Sequence, residues 1–172
     1  MKQMSIFKTN EVMRQWCDVS TGSLWFSLLL SLGSCGLGWY IYSGYNSVSI
    51  YTFSAVVALL NLLALIYMPA NITIEGDSLA VYRSCWCKRL PISEIESIEL
   101  MQPTMGTKAI FASMGFWGYW GWYREPNLGK YFAMYGNPSN CFFVRMKDGR
   151  QYMLGCKNPA TIVDYVKNHL DA

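Results

Sequence analysis

The chain has 172 residues, with 14 Lys and Arg against 11 Asp and Glu, a single His and a net charge of +3. So small and scattered an excess of positive charge excludes an electrostatic nucleic-acid surface. The length suits one compact domain beside a membrane anchor, and the six cysteines are expected as reduced thiols if that domain is cytoplasmic.

Residues 1–22 are mixed in character, with Ile6, Phe7, Met13 and Trp16 as their apolar members. They read as a cytoplasmic segment lying on the membrane surface as a short helix. Residues 23–42 and 49–68 follow, two runs without Asp, Glu, Lys, Arg or His, each matching the roughly 20 residues that a helix needs to cross a bilayer. Trp25, Trp39, Tyr40 and Tyr42 border the first, and Tyr51 and Tyr67 the second, as rings favouring the headgroup region do. The uncharged connection between them reads as a tight turn, so the runs form an antiparallel transmembrane hairpin over residues 23–68. Lys2, Lys8 and Arg14 precede it, Arg83, Lys88 and Arg89 follow it, and the turn has neither Lys nor Arg. The positive-inside rule then predicts a multi-pass cell-membrane protein with both termini in the cytoplasm. Leu32-Gly33-Ser34-Cys35 also resembles a lipoprotein processing box, which would reverse that topology. Against it, the preceding segment is long and contains Glu11 and Asp18, and the apolar run continues beyond Cys35.

Spacing predicts how the hairpin packs. Ser23, Ser27, Ser31 and Cys35 recur every fourth residue, giving the first span a face of small side chains on which another helix can approach closely. Asn61 is the only amide side chain in either span. Unpaired in hydrocarbon it would cost several kcal/mol, so a hydrogen bond across the hairpin to Ser31 or Ser27 is expected. The functional alternative, an ion or substrate path, would call for an ionisable neighbour.

From Asn71 onward the pattern changes to short alternating runs, the period of strands. Residues 71–75 and 79–84 flank Gly76-Asp77, a hairpin signal. Residues 88–90 lead through Pro91 into one helical turn at 92–94, and strands are expected at 95–101, 119–123, 130–135, 141–147 and 150–154, the last two joined at Asp148-Gly149. A closing helix has Asn158 as its cap, Pro159 in its first turn, and Ile162, Val163, Val166 and Leu170 as its apolar stripe. The expected fold class is an α+β membrane protein, a transmembrane hairpin followed at residues 71–172 by a half-open antiparallel β-barrel of about seven strands capped by a C-terminal α-helix.

Four stretches carry a resemblance. They are Arg89-Leu90-Pro91-Ile92-Ser93-Glu94-Ile95-Glu96-Ser97-Ile98, Gly115-Phe116-Trp117-Gly118-Tyr119-Trp120-Gly121, Gly129-Lys130-Tyr131, and Cys156-Lys157-Asn158-Pro159. Together with the hairpin they resemble bacterial pleckstrin-homology-like (PH-like) domains that follow two membrane helices; this chain departs from a common Ser-Pro pair by having Cys156-Lys157. The resemblance implies a scaffold and brings no catalytic residues. It also raises the question of inositol-lipid binding, which the residues disfavour: such sites cluster Lys and Arg at the first hairpin, and here that turn is Glu75-Gly76-Asp77.

The least ordinary stretch is 114–123, where Gly115, Gly118 and Gly121 interleave with Phe116, Trp117, Tyr119, Trp120, Trp122 and Tyr123. Glycines permit sharp barrel bends while rings fill the interior, or else Phe116, Trp117, Tyr119, Trp120 and Trp122 form an interface with the headgroup layer or a partner. Enzyme readings find little support. The sole histidine, His169, falls in the last turn of the closing helix, and no phosphate loop, paired catalytic carboxylates or Ser/His/Asp set is present. Cys85, Cys87, Cys141 and Cys156 lack zinc-ligand spacing, and Cys85 and Cys87 read as two buried residues on one strand face. The expected function is therefore a non-catalytic adaptor or assembly module at the inner membrane surface, with no cofactor and no metal. Its partners are the lipid bilayer and another membrane protein, and a homo-oligomer is left open. The alternative is an accessory or regulatory subunit of a membrane transporter or enzyme.

Overall fold

A computed structural model of the protein describes residues 14–42 and 47–170. Two long helices come first, α1 (Thr21–Tyr42) and α2 (Ser47–Tyr67). They run antiparallel: Ser31 faces Asn61, and farther along a Cβ placed on Gly38 would lie 3.8 Å from Ser54 and 3.9 Å from Phe53. The stretch Thr21–Tyr40 is long and apolar enough to cross a membrane, whereas the described apolar part of α2, Tyr51–Tyr67, is shorter.

Around the helices the chain is α+β. One sheet has the order β1-β2-β3-β4, from Arg14–Trp16, Pro69–Glu75, Ser78–Arg83 and Cys87–Pro91. After a 3-10 turn at Ile92–Glu94 come β5 (Ile95–Leu100), β6 (Lys108–Gly115), β7 (Gly118–Glu125), β8 (Gly129–Tyr135), β9 (Cys141–Met146) and β10 (Gln151–Gly155). These six form a second sheet in the order β5-β9-β10-β8-β7-β6. The closing helix α3 (Pro159–Leu170) packs against β5, the 3-10 turn and β9.

Alternation along the strands sorts side chains between two cores, because successive strand residues point to opposite faces. Ile72, Ile74, Leu79 and Val81 of the first sheet meet Met134, Phe142, Val144 and Leu154 of the second, and Ile162, Val163 and Val166 of α3 close this core. The opposite face of the second sheet holds Tyr131, Ala133, Tyr135, Phe143 and Met153 with Tyr123. Here Tyr119 stacks on Tyr135 at 5.0 Å and Tyr123 on Tyr131 at 6.0 Å.

Several expectations are corrected. The sheets are not wholly antiparallel: β10 pairs parallel with β8, since the chain skips one position after β8, lays down β9, and returns through the turn before Gln151 to fill the gap. The segment before α1 is not a surface helix over its described part. Residues Arg14–Trp16 form β1, paired antiparallel with β2, and Lys157 donates its backbone N–H to the Trp16 carbonyl at 2.9 Å; residues 1–13 lie outside those described. Asp18 accepts from the side-chain amides of Asn137 (2.9 Å) and Asn140 (3.2 Å), and a Cβ on Gly136 would collide with the Asp18 backbone. A strand at 108–115 was not expected at all. Cys85 and Cys87 do not share a buried strand face, for Cys85 sits exposed in the bend before β4 begins at Cys87. On α1, Cys35 is exposed, and Ser34 and Gly38 continue the small-residue face instead.

Gly121 has φ +115°, and a Cβ there would collide with the Phe111 carbonyl and Ala112 across the β6–β7 pair. Gly121→Ala should therefore destabilise the protein by about 2 kcal/mol or more, read as a lower denaturation midpoint in detergent. Burial raises the thiols of Cys17, Cys141 and Cys156 above the ordinary value, Cys156 to about 12; Asp18 adds to the effect at all three, and neighbouring thiols add to it at Cys17 and Cys141. Unfolding would release these protons above pH 9, so stability is unaffected below that pH and falls as pH rises from 9 towards 12. Melting temperature measured from pH 8 to 11 checks this; at pH 8, Cys85 should react with a thiol reagent well ahead of those three.

Candidate functional site

Strands β6 and β7 are joined by the two residues Phe116 and Trp117, with Gly115 opposite Gly118. Trp117 has φ +53°, the sole described non-glycine residue with positive φ. A bulky side chain rarely occupies this region, and doing so costs of order 1–3 kcal/mol. Gly118, with φ +106°, supplies the next left-handed step without that cost. The resulting hairpin tip lies against both α1 and α2.

The contacts that hold it there are polar and specific. The Trp117 backbone N–H donates to Ser27 Oγ at 2.8 Å, and its indole Nε1–H donates to Asn61 Oδ1 at 3.3 Å. Ser31 Oγ donates to the same Asn61 oxygen at 2.8 Å, and Asn61 Nδ2 donates to the Val57 carbonyl at 3.0 Å. Ser27, fully buried, donates to the Ser23 carbonyl at 2.7 Å and lies 3.4 Å from that of Gly115. Within the tip, Ser113 Oγ reaches the carbonyls of Phe116 (2.8 Å) and Gly118 (3.1 Å). Ser27 is six residues into α1 and Asn61 six before the end of α2, so at 1.5 Å per residue the tip reaches about 9 Å along the helix pair.

The expected pairing of Asn61 with Ser31 is thus present, while Ser27 serves the hairpin and not Asn61. Of the five aromatic candidates, Trp117 binds Asn61, Trp120 stacks on Tyr67 of α2 at 5.0 Å, and Tyr119 stacks inside the domain. Phe116 lines a cleft beside the helices, and Trp122 is partly exposed beneath Lys130, whose Nζ is 4.4 Å from the ring centre. What the sequence reading missed is the hairpin itself: Gly115 and Gly118 bracket its two-residue loop, a signal hidden in the longer aromatic run. Strand β6 adds an exposed apolar edge, with Ile110, Phe111 and Met114 all exposed.

Elsewhere the turn Glu75-Gly76-Asp77 has its Glu75 engaged, accepting from the Tyr82 hydroxyl and from Arg89 Nη2 at 3.5 Å. His169 stacks on Tyr165 at 4.2 Å, and its Nδ1 lies 2.9 Å from the Tyr165 carbonyl. No group of three or more metal-ligating side chains is found among the described residues. Comparison with protein-family models, with curated proteins and with solved structures yields no match.

Removing either polar anchor strands a donor in an apolar setting. Ser27→Ala should cost about 1–3 kcal/mol by orphaning the Trp117 N–H, and Asn61→Leu about 0.5–2 kcal/mol. The effects should be non-additive in the double mutant because both residues grip Trp117. Unfolding in detergent measures all three; strictly additive losses would mean that the two bonds act independently.

Proposed function

We propose that the chain is a two-span inner-membrane protein whose helix hairpin holds a PH-like, half-open barrel at the cytoplasmic surface, where it binds another membrane protein without catalysing a reaction. The observation that carries this reading is the hairpin tip seated between α1 and α2 beside the exposed apolar edge of β6. Anchor and domain then move as one block, and the edge is presented at a fixed height. Backbone at membrane depth is tolerated only where protein satisfies its polar groups. At the tip the Trp117 N–H has Ser27 as its acceptor, and the one Ser113 hydroxyl proton is shared between the Phe116 and Gly118 carbonyls.

Short-range geometry supports docking of a partner and not of an inositol phosphate. Glu75 already engages Tyr82 and Arg89 at the first-hairpin turn, and its carboxylate would repel a phosphate. Strand β6 ends its sheet, an edge on which a strand or loop can pair, and Ile110 supplies apolar contact area. An accessory subunit of a transporter or enzyme would use the same edge, and the identity of the captured protein separates the two readings.

Topology and partner each have a test. With Ser47→Cys, a membrane-impermeant maleimide applied to intact cells should label the chain, whereas Asp148→Cys should be labelled only after permeabilisation; the reverse pattern overturns the orientation. A photo-crosslinking amino acid at Ile110 should give a discrete adduct with a different membrane protein, absent when the crosslinker replaces the exposed Asp164 on α3. Equal, diffuse adducts from both positions would remove the β6 edge as the docking surface.

A further inference from the structure

Between α1, α2 and the β6–β7 hairpin lies a cleft of about 730 Å³, within the size range of small-molecule and lipid sites. Its walls are largely apolar, with Phe26, Leu30, Leu60, Ala64, Phe111 and Met114 prominent. Along α2 the lining runs from Val57 to Ala64, about 10 Å at 1.5 Å per residue. This wall of the cleft follows the helix axis, the direction in which an acyl chain lies in a bilayer leaflet.

Trp120, at the domain end of this slot, and Arg83, which lies beyond Tyr67 and outside the lining, each carry a donor without an acceptor. Trp120 lines the cleft, and its indole Nε1–H is buried without a hydrogen-bond partner. Tyr67 stacks on Trp120, and the Arg83 guanidinium lies 5.9 Å from the Tyr67 ring centre, 5.9 Å from that of Trp86 and 5.5 Å from that of Phe132. Arg83 Nε is also buried and unpartnered, and among the described residues no carboxylate pairs with this arginine. Arg83 is half-buried, and that burial lowers its pKa from the ordinary value while the neighbouring Tyr67 acts the other way. Buried donors ordinarily have partners, and a cation in this setting calls for an anion.

We propose that the cleft holds one acyl chain of an anionic glycerophospholipid from the inner leaflet, with the lipid's phosphate turned towards Arg83. The sequence of groups matches that ligand: an apolar slot, then a neutral N–H donor for an ester carbonyl, then a cation among rings at the level where α2 ends. The assignment rests on the membrane reading above and adds to it a resident lipid on the same block that presents the β6 edge.

The full chain, reconstituted into vesicles containing phosphatidylglycerol and phosphatidylcholine and then extracted in mild detergent, provides the test by native mass spectrometry. One phospholipid per chain should survive delipidation, with phosphatidylglycerol favoured about tenfold, as a charge-assisted contact of about 1.4 kcal/mol gives. Leu60→Trp and Met114→Trp, two separate ways to fill the slot, should each lower retention at least tenfold. Arg83→Gln should erase the preference between the two lipids while one lipid is still retained. Absence of a saturable single lipid on the wild-type chain overturns the proposal whatever the variants do, as does equal retention by folded slot-filled variants or a second copy of the chain in place of lipid. Alkaline carbonate separates the two levels: if the chain stays in the membrane pellet, loss of the lipid result removes only this inference, and if carbonate extracts it, both fall.

Discussion

Everything in the upper half of the molecule depends on the polar node formed by Trp117, Ser27, Asn61 and Ser31. Two helices of nearly uniform apolarity have little to fix their rotation or height against a third element, because one apolar contact substitutes readily for another. Hydrogen bonds do not substitute in that way. A left-handed Trp117 is costly by itself and persists because surrounding structure over-determines it. Its backbone and its indole each find an acceptor on a different helix, so the strain and the registration are two descriptions of one arrangement.

Below the node, the second sheet buries side chains on both faces. One face meets β2, β3 and α3; on the other the sheet's own tyrosines, from β7 and β8, stack on one another. Placing β10 between β8 and β9 puts Met153 and Leu154 at the centre, where both faces are dry. The skipped connection after β8 also brings Gly136 and Asn140 to Asp18, joining the segment before α1 to the middle of the domain.

Some of this was legible in the sequence for identifiable reasons. Asn61 in an otherwise apolar run had few ways to be satisfied, and Ser31 sat at the matching depth. The Gly76-Asp77 turn, the 3-10 turn at Ile92–Glu94 and the stripe of Ile162, Val163 and Val166 all follow from local chemistry. Strand β6 was not legible: a bulge between Ala109 and Phe111 breaks its alternation, and its residues face helices and open surface instead of a core. Strand β1 is only three residues long, and its partner lies beyond both helices. The face of α1 was read with a strict step of four, but a helix turning every 3.6 residues must take a step of three, which exchanges Cys35 for Ser34.

The pairing of β1 with β2 joins the chain just before α1 to the chain just after α2, so the helix pair is the interior of a loop closed by backbone hydrogen bonds. During synthesis this closure is out of order. Trp16 leaves the ribosome well ahead of Lys157, yet its carbonyl waits for the N–H of that residue, and Asp18 waits for Asn137 and Asn140. The helices are complete long before those groups exist. The segment before α1 is thus fastened by the segment before α3, and a chain cut short before residue 157 lacks the bond that seats Trp16, however well its helices have formed.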